Sequence, residues 1–98
     1  MIKNITILGA GESGFGAAML AHQKGHNVFV SDISEIRKDI KSIFVKNSIK
    51  FEEKDHSFDK IKFSDLIIKS PGIPNTSIII SKIKTFDIPI ISEIEFAS

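Results

Sequence analysis

No cysteine occurs among the 98 residues, which excludes disulfides and thiolate metal sites and fits a reducing compartment. An excess of one charge is also missing. Thirteen basic residues face 12 acidic ones, a net charge of +1, and the lysines are spread along the chain, so no strong field draws nucleic acid or a membrane surface. No apolar run reaches the ~20 residues that a membrane span needs. Lys3 and Asn4 interrupt the start and a glycine-rich segment follows at once, so no signal peptide pattern is present. His22, His26 and His56 are not spaced as a ligand set, so they read as surface histidines and no metal site is expected. No Ser/His/Asp constellation and no G-x-x-x-x-G-K-[ST] motif occurs, so no catalytic residue and no ATP site is expected in this chain. Arginine is scarce against lysine, 1 to 12, and leucine against isoleucine, 3 to 20, which reads as codon bias. What remains is an ordinary globular composition, 42% hydrophobic and 26% charged. It suits a single domain over 1–98 whose core has little margin, expected to be a cytoplasmic monomer.

The stretch Ile5-Thr6-Ile7-Leu8-Gly9-Ala10-Gly11-Glu12-Ser13-Gly14 is the strongest signal. A short apolar strand runs into glycines spaced G-x-G-x-x-G, and a helical pattern follows. The glycines permit a tight turn and close approach of a ligand to the backbone. The helix start offers unpaired N–H groups and partial positive charge to an anion. Asp32, 18 residues past Gly14 at the end of the next apolar run, supplies the acid that such a unit places near a ribose. Gly9, Gly11 and Gly14 therefore read as a phosphate loop, with Ser13 as the helix cap.

In chain order, Ile2–Leu8 reads as the first strand. The helix behind it carries Gly14, Ala17, Ala18 and Ala21 on one stripe and ends at Gly25. Asn27–Ser31 is the second strand. Ser34 is expected to cap a helix with the face Ile36, Ile40, Ile43 and Phe44, closed by Asn47 and Ser48. Ile49–Glu52 alternates as an edge strand does. Glu52, Glu53 and Asp55 read as solvating charges on that edge, and Phe58–Ile61 as a single helical turn. Asp65–Lys69 is a fourth strand, apolar enough to be covered on both faces. It leads into Ser70-Pro71-Gly72-Ile73-Pro74. Asn75 or Thr76 starts a helix with the face Ile79, Ile80 and Ile83, and Pro89–Ile91 is the fifth strand. Ser92-Glu93-Ile94-Glu95 is a capping box that opens one more helix. Since the chain stops about one turn later, it reads as a piece cut from something longer.

Strands alternating with helices imply right-handed parallel βαβ units. The expected fold is α/β, a Rossmann-like three-layer sandwich with a five-stranded parallel sheet of order 3-2-1-4-5 and helices on both faces. Ligands then bind beyond the carboxyl ends of the strands, at the switch point between strands one and four. Three loops converge there: 9–14, 32–34 and 69–73, with Lys69 at the mouth. Three functional readings stand on these residues: a nucleotide-anchoring domain of a larger enzyme, the first half of an NAD- or FAD-binding oxidoreductase domain, and a nucleotide-sensing or protein-interaction module that uses the fold without catalysis.

The motifs Gly-Ala-Gly-Glu-Ser-Gly (9–14), Val-Ser-Asp (30–32), Lys-Ser-Pro-Gly-Ile-Pro (69–74) and Ser-Glu-Ile-Glu-Phe (92–96) together resemble the N-terminal domain of the Mur ligases. The resemblance covers essentially the whole chain and is strongest to the branch that adds D-glutamate to UDP-N-acetylmuramoyl-L-alanine in peptidoglycan synthesis. It implies that this domain holds the UDP end of the substrate. A central domain would bind ATP and Mg²⁺, and a third would help bind the amino acid that attacks an acyl phosphate. Carried over by motif, the amides of Glu12, Ser13 and Gly14 meet the diphosphate. Asp32, Ile33 and Ser34 border the uracil and ribose, and Ser70, Pro71 and Gly72 close the other side. The resemblance implies a UDP-sugar and the remaining domains of the same chain as partners. One departure stands out: where some members carry a basic residue just after the strand-two acid, this chain has Ile33-Ser34-Glu35.

Overall fold

A computed structural model describes residues 1–98. Five apolar segments pair into one all-parallel sheet: β1 (Asn4–Leu8), β2 (Asn27–Asp32), β3 (Lys50–Glu53), β4 (Leu66–Lys69) and β5 (Ile90–Ser92), in the order β3-β2-β1-β4-β5. The expected architecture and strand order are those observed. Between the strands run α1 (Glu12–Gln23), α2 (Lys38–Lys46), α3 (Phe58–Ile61) and α4 (Ile78–Lys84), and α5 (Glu93–Ala97) follows β5.

Strand alternation divides the core in two. Ile5, Ile7, Val30 and Ile68 point to one face, where the buried stripe Gly14, Ala17, Ala18 and Ala21 of α1 and Ile40 and Phe44 of α2 cover them. Small side chains let α1 lie close on the sheet. Leu8 and Ile67 point the other way, onto Ile61 of α3 and Ile80 and Ile83 of α4. α5 packs back on α1. Gly25, at φ 86°, ends α1, its N–H donating to His22 O at 3.0 Å.

Several boundaries differ from expectation. β1 begins at Asn4, where pairing with Asn27 of β2 starts, and Ile2 is exposed. β3 and β5 are displaced by one residue, and β4 begins at Leu66. Ser34 does not cap α2: its N–H donates to Asp32 Oδ1 at 2.8 Å, and the helix waits until Lys38. Ile36 is buried ahead of that helix, its N–H held by Glu53 Oε1 at 2.9 Å. α4 starts after Ser77, whose Oγ accepts from Ile80 N at 3.4 Å. Asn75 and Thr76 are spent on the turn closed by Ser77 N–H to Pro74 O, 3.1 Å. The capping box at Ser92 forms in both directions, Glu95 N–H to Ser92 Oγ at 3.1 Å and Ser92 N–H to Glu95 Oε1 at 3.2 Å.

Candidate functional site

The glycine loop leaves β1 and enters α1 at the carboxyl edge of the sheet, and its three glycines stand in three different settings. Gly9 has φ 94°, a conformation that side chains disfavour, and a Cβ there would stand 2.9 Å from Ser70 Cβ. Gly14 lies against the loop itself, so that a Cβ would fall 1.9 Å from the Gly9 carbonyl oxygen. Gly11 has nothing within 4 Å of where its Cβ would be; the space above it is open. α1 begins directly after Gly11, whose carbonyl accepts from Phe15 N at 2.8 Å. Ser13 is therefore inside the first turn and is not the cap; Gly11 holds that position in extended backbone with no side-chain cap. The amides of Glu12, Ser13 and Gly14 have no protein acceptor. These orphan donors and the helix dipole make the open space attractive to an anion.

Asp32 ties this loop to its neighbour. Its Oδ2 accepts from Ala10 N–H at 2.8 Å and its Oδ1 from Ser34 N–H at 2.8 Å, so one carboxylate positions both rims. Ile33 and Ser34 are exposed beside it. From the other side, Ser70 packs on Gly9, its N–H donating to Leu8 O at 3.1 Å. Lys69 Nζ donates to Ile73 O at 2.7 Å, so this lysine braces the 70–73 turn. Pro71 and Gly72 form its exposed outer edge. The structure thus brings Gly9, Gly11, Glu12, Ser13, Gly14, Asp32, Ile33, Ser34, Ser70, Pro71 and Gly72 to one rim of the sheet. The Glu12 side chain lies outside, 4.0 Å from Arg37.

A polar cluster stands next to Asp32. The buried Ser31 hydroxyl lies 2.8 Å from Glu52 Oε2, 2.7 Å from His56 Nδ1 and 3.3 Å from the Asp55 carbonyl oxygen. Glu52 also accepts from Ser57 N–H at 2.7 Å and Ser57 Oγ at 2.6 Å. Burial alone would raise the Glu52 carboxyl; the hydrogen bonds from Ser57 and Ser31 outweigh it and hold the pKa below the usual range. Burial likewise pushes the His56 imidazole down, against the opposing charges of Glu52, Asp32 and Asp55. Glu53 is held low by the Ile36 amide and Lys41, whose Nζ stands 3.1 Å from Oε2. Glu52 and Glu53 are therefore not the solvating charges expected of the edge strand, and His56 is not the surface histidine expected, whereas Asp55 is exposed. Glu52, Glu53 and His56 organise the β2–β3 end. Strand parity carries the signal: Ser31 and Glu52 are register partners in parallel strands and so share one face.

Glu93, at the start of α5, faces the first turn of α1. Its Oε1 is sealed from solvent without a hydrogen-bond partner. Burial raises its pKa; the nearby Ser13 hydroxyl eases the shift without making a hydrogen bond of normal geometry.

The profile of the MurD N-terminal domain family matches residues 4–79. Over 96 residues the chain is 51% identical to the UDP-N-acetylmuramoylalanine–D-glutamate ligase of Bacteroides thetaiotaomicron. The match takes in 98% of this chain and 22% of that relative. The ligase of the same name from Christiangramia forsetii is 45% identical over 98 residues, again across 22% of its length. The chain thus spans about a fifth of the curated relatives it matches. Among solved structures, a pseudomurein peptide ligase type C from Methanothermus fervidus superposes with a TM-score of 0.85 at 29% identity, over 97% of this chain and 20% of that one. Saccharopine dehydrogenase from Saccharomyces cerevisiae, at 22% identity and a TM-score of 0.60 over 92% of this chain and 21% of its own, shares the fold alone. No helix here is long and apolar enough to cross a membrane. With the family profile spanning most of the chain, this chain belongs to the MurD N-terminal domain family.

Proposed function

We propose that this domain anchors the uridine diphosphate end of UDP-N-acetylmuramoyl-L-alanine for ATP-dependent addition of D-glutamate in cytoplasmic peptidoglycan synthesis. The observation that carries the reading is the open space at Gly11 together with the three unpaired amides at the start of α1, in a loop that Asp32 holds at Ala10 and Ser70 contacts at Gly9. The names of the relatives support the choice of substrate. In this reading Gly9, Gly11, Glu12, Ser13 and Gly14 receive the diphosphate through backbone. Asp32, Ile33 and Ser34 border the nucleoside, and Ser70, Pro71 and Gly72 close the far side. ATP and Mg²⁺ act elsewhere in a longer protein, of which this domain is the first part and does no chemistry alone. An amide NMR titration with UDP and NAD at equal concentrations tests the proposal. UDP is expected to shift Glu12–Gly14 and Asp32–Ser34 with Kd of order 0.1–1 mM, NAD more weakly, and Gly11→Val to abolish the UDP shifts. Tighter binding of NAD than of UDP sinks the reading.

A further inference from the structure

A cavity of about 420 Å³ opens beside the Asp32 loop, lined among others by Ile33, His56, Phe58, Ile78, Ile79 and Lys82. Ile33 follows Asp32 directly, so the cavity continues the rim on which the glycine loop stands. Ile33 is 63% exposed and Ile78 86%, large apolar side chains left uncovered at the mouth of a slot. A flat, weakly polar ring fits such a setting better than a sugar or a phosphate does.

The protons around Ser31 determine what the slot can read. Ser31 has one hydroxyl proton and three polar neighbours, Glu52 Oε2 at 2.8 Å, His56 Nδ1 at 2.7 Å and Asp55 O at 3.3 Å. An ionised carboxylate only accepts, so Glu52 takes the serine proton. The serine oxygen must then accept at its other short contact, and His56 Nδ1 must be the donor. The hydrogen-bond network thus assigns the imidazole proton to Nδ1. Nε2 is left as a bare lone pair. It makes no hydrogen bond within the protein, nor is it sealed from solvent.

We propose that His56 Nε2 reads the base of the bound nucleotide by accepting the N3–H of a uracil seated between Ile33 and Ile78. The inference rests on the uridine diphosphate reading above and adds the group that makes it uridine. Uracil presents N–H at position 3; cytosine presents a lone pair there, which would meet the imidazole lone pair with no proton between them. The charged groups facing the imidazole are Glu52 of β3, Asp32 of β2, Asp55 of the following loop, and Lys82 of α4, which lines the same cavity. Burial keeps the ring neutral at pH 7.5 despite the three carboxylates. Protonation turns Nε2 into a donor, which opposes uracil N3–H and suits cytosine.

The test is the ratio of UDP to CDP affinity for the full chain, followed by calorimetry and amide shifts between pH 8 and pH 5, with inorganic pyrophosphate as the base-free control. Taking the ratio cancels the titration of the phosphates, which both ligands share. At pH 7.5 UDP is expected to bind about ten-fold more tightly than CDP, the cost of one unmatched polar contact in a desolvated site. The ratio should fall as the pH is lowered through the His56 titration and drop below one once the ring is protonated, while pyrophosphate, which carries no base, reports the phosphate contribution alone. His56→Ala should bring the ratio near one at every pH, and the wild-type pH profile stands alone if that variant does not fold. Equal affinities at pH 7.5, or a ratio that stays constant across a pH range in which NMR shows the His56 ring to titrate, overturn the base-reading role while leaving diphosphate binding at Glu12–Gly14 intact. Failure of UDP and pyrophosphate alike to shift Glu12–Gly14 overturns both readings.

Discussion

At the scale of single residues, the glycine loop separates two glycines held by close contact from one that faces open space. A methyl group at Gly14 would meet the Gly9 carbonyl oxygen at 1.9 Å, a backbone atom that no rotamer change can remove. Gly14→Ala is expected to cost about 3 kcal/mol or more, the upper end of overpacking penalties. Gly11→Ala meets open space and loses only the modest advantage of glycine over alanine before a helix, about 1 kcal/mol or less. Thermal melts of the two variants check the order, and a Gly11→Ala melt as low as that of Gly14→Ala would refute the assignment. The G-x-G-x-x-G spacing made all three positions legible, but their division of labour was not. It depends on Ser70 and on the loop's own carbonyl, which approach only when the sheet has formed.

Among the elements, helix starts show what local sequence can and cannot reveal. The Ser92 box was legible because both partners lie three residues apart and nothing else claims them. Ser34 failed as a cap because its amide turns back onto the Asp32 carboxylate two residues earlier and α2 does not begin until Lys38, and Ser13 because the glycine turn delivers the chain to the helix at Gly11. The Ser31–Glu52–His56 cluster was hidden for a related reason: it joins two strands and a loop more than 20 residues apart. α5 carries a testable strain of its own. Desolvation raises the Glu93 pKa above its ordinary 4.5, so the ionised form penalises folding at neutral pH. The penalty is absent below the ordinary pKa, grows as pH rises from there to the folded one, and is complete above it. Glu93→Gln should therefore raise the melting temperature at pH 7 and lose that advantage below about pH 4.5. Paired melts at pH 7 and pH 4 decide it; an unchanged or lowered melting temperature at pH 7 counts against the buried-charge account.

For the molecule as a whole, the strand order was legible because alternating strands and helices with right-handed crossovers leave few arrangements. The two cores are unequal: 12 buried residues on the α1–α2 side, five on the α3–α4 side. Neighbouring residues of β4, Ile67 and Ile68, serve opposite cores, so neither core can melt while the sheet persists. Ile67→Val and Ile68→Val should each cost about 1 kcal/mol and lower one shared transition by about 4–8 °C. Two resolved transitions in calorimetry would show that the layers unfold separately. The Asp32 carboxylate also bears on time. Because it holds the Ala10 and Ser34 amides together before any ligand arrives, the two rims meet an incoming molecule as a finished template. If a ligand binds there, these bonds spare it the cost of ordering the two loops. Ligands that fit this rim should differ chiefly in how long they stay, and little in how fast they arrive.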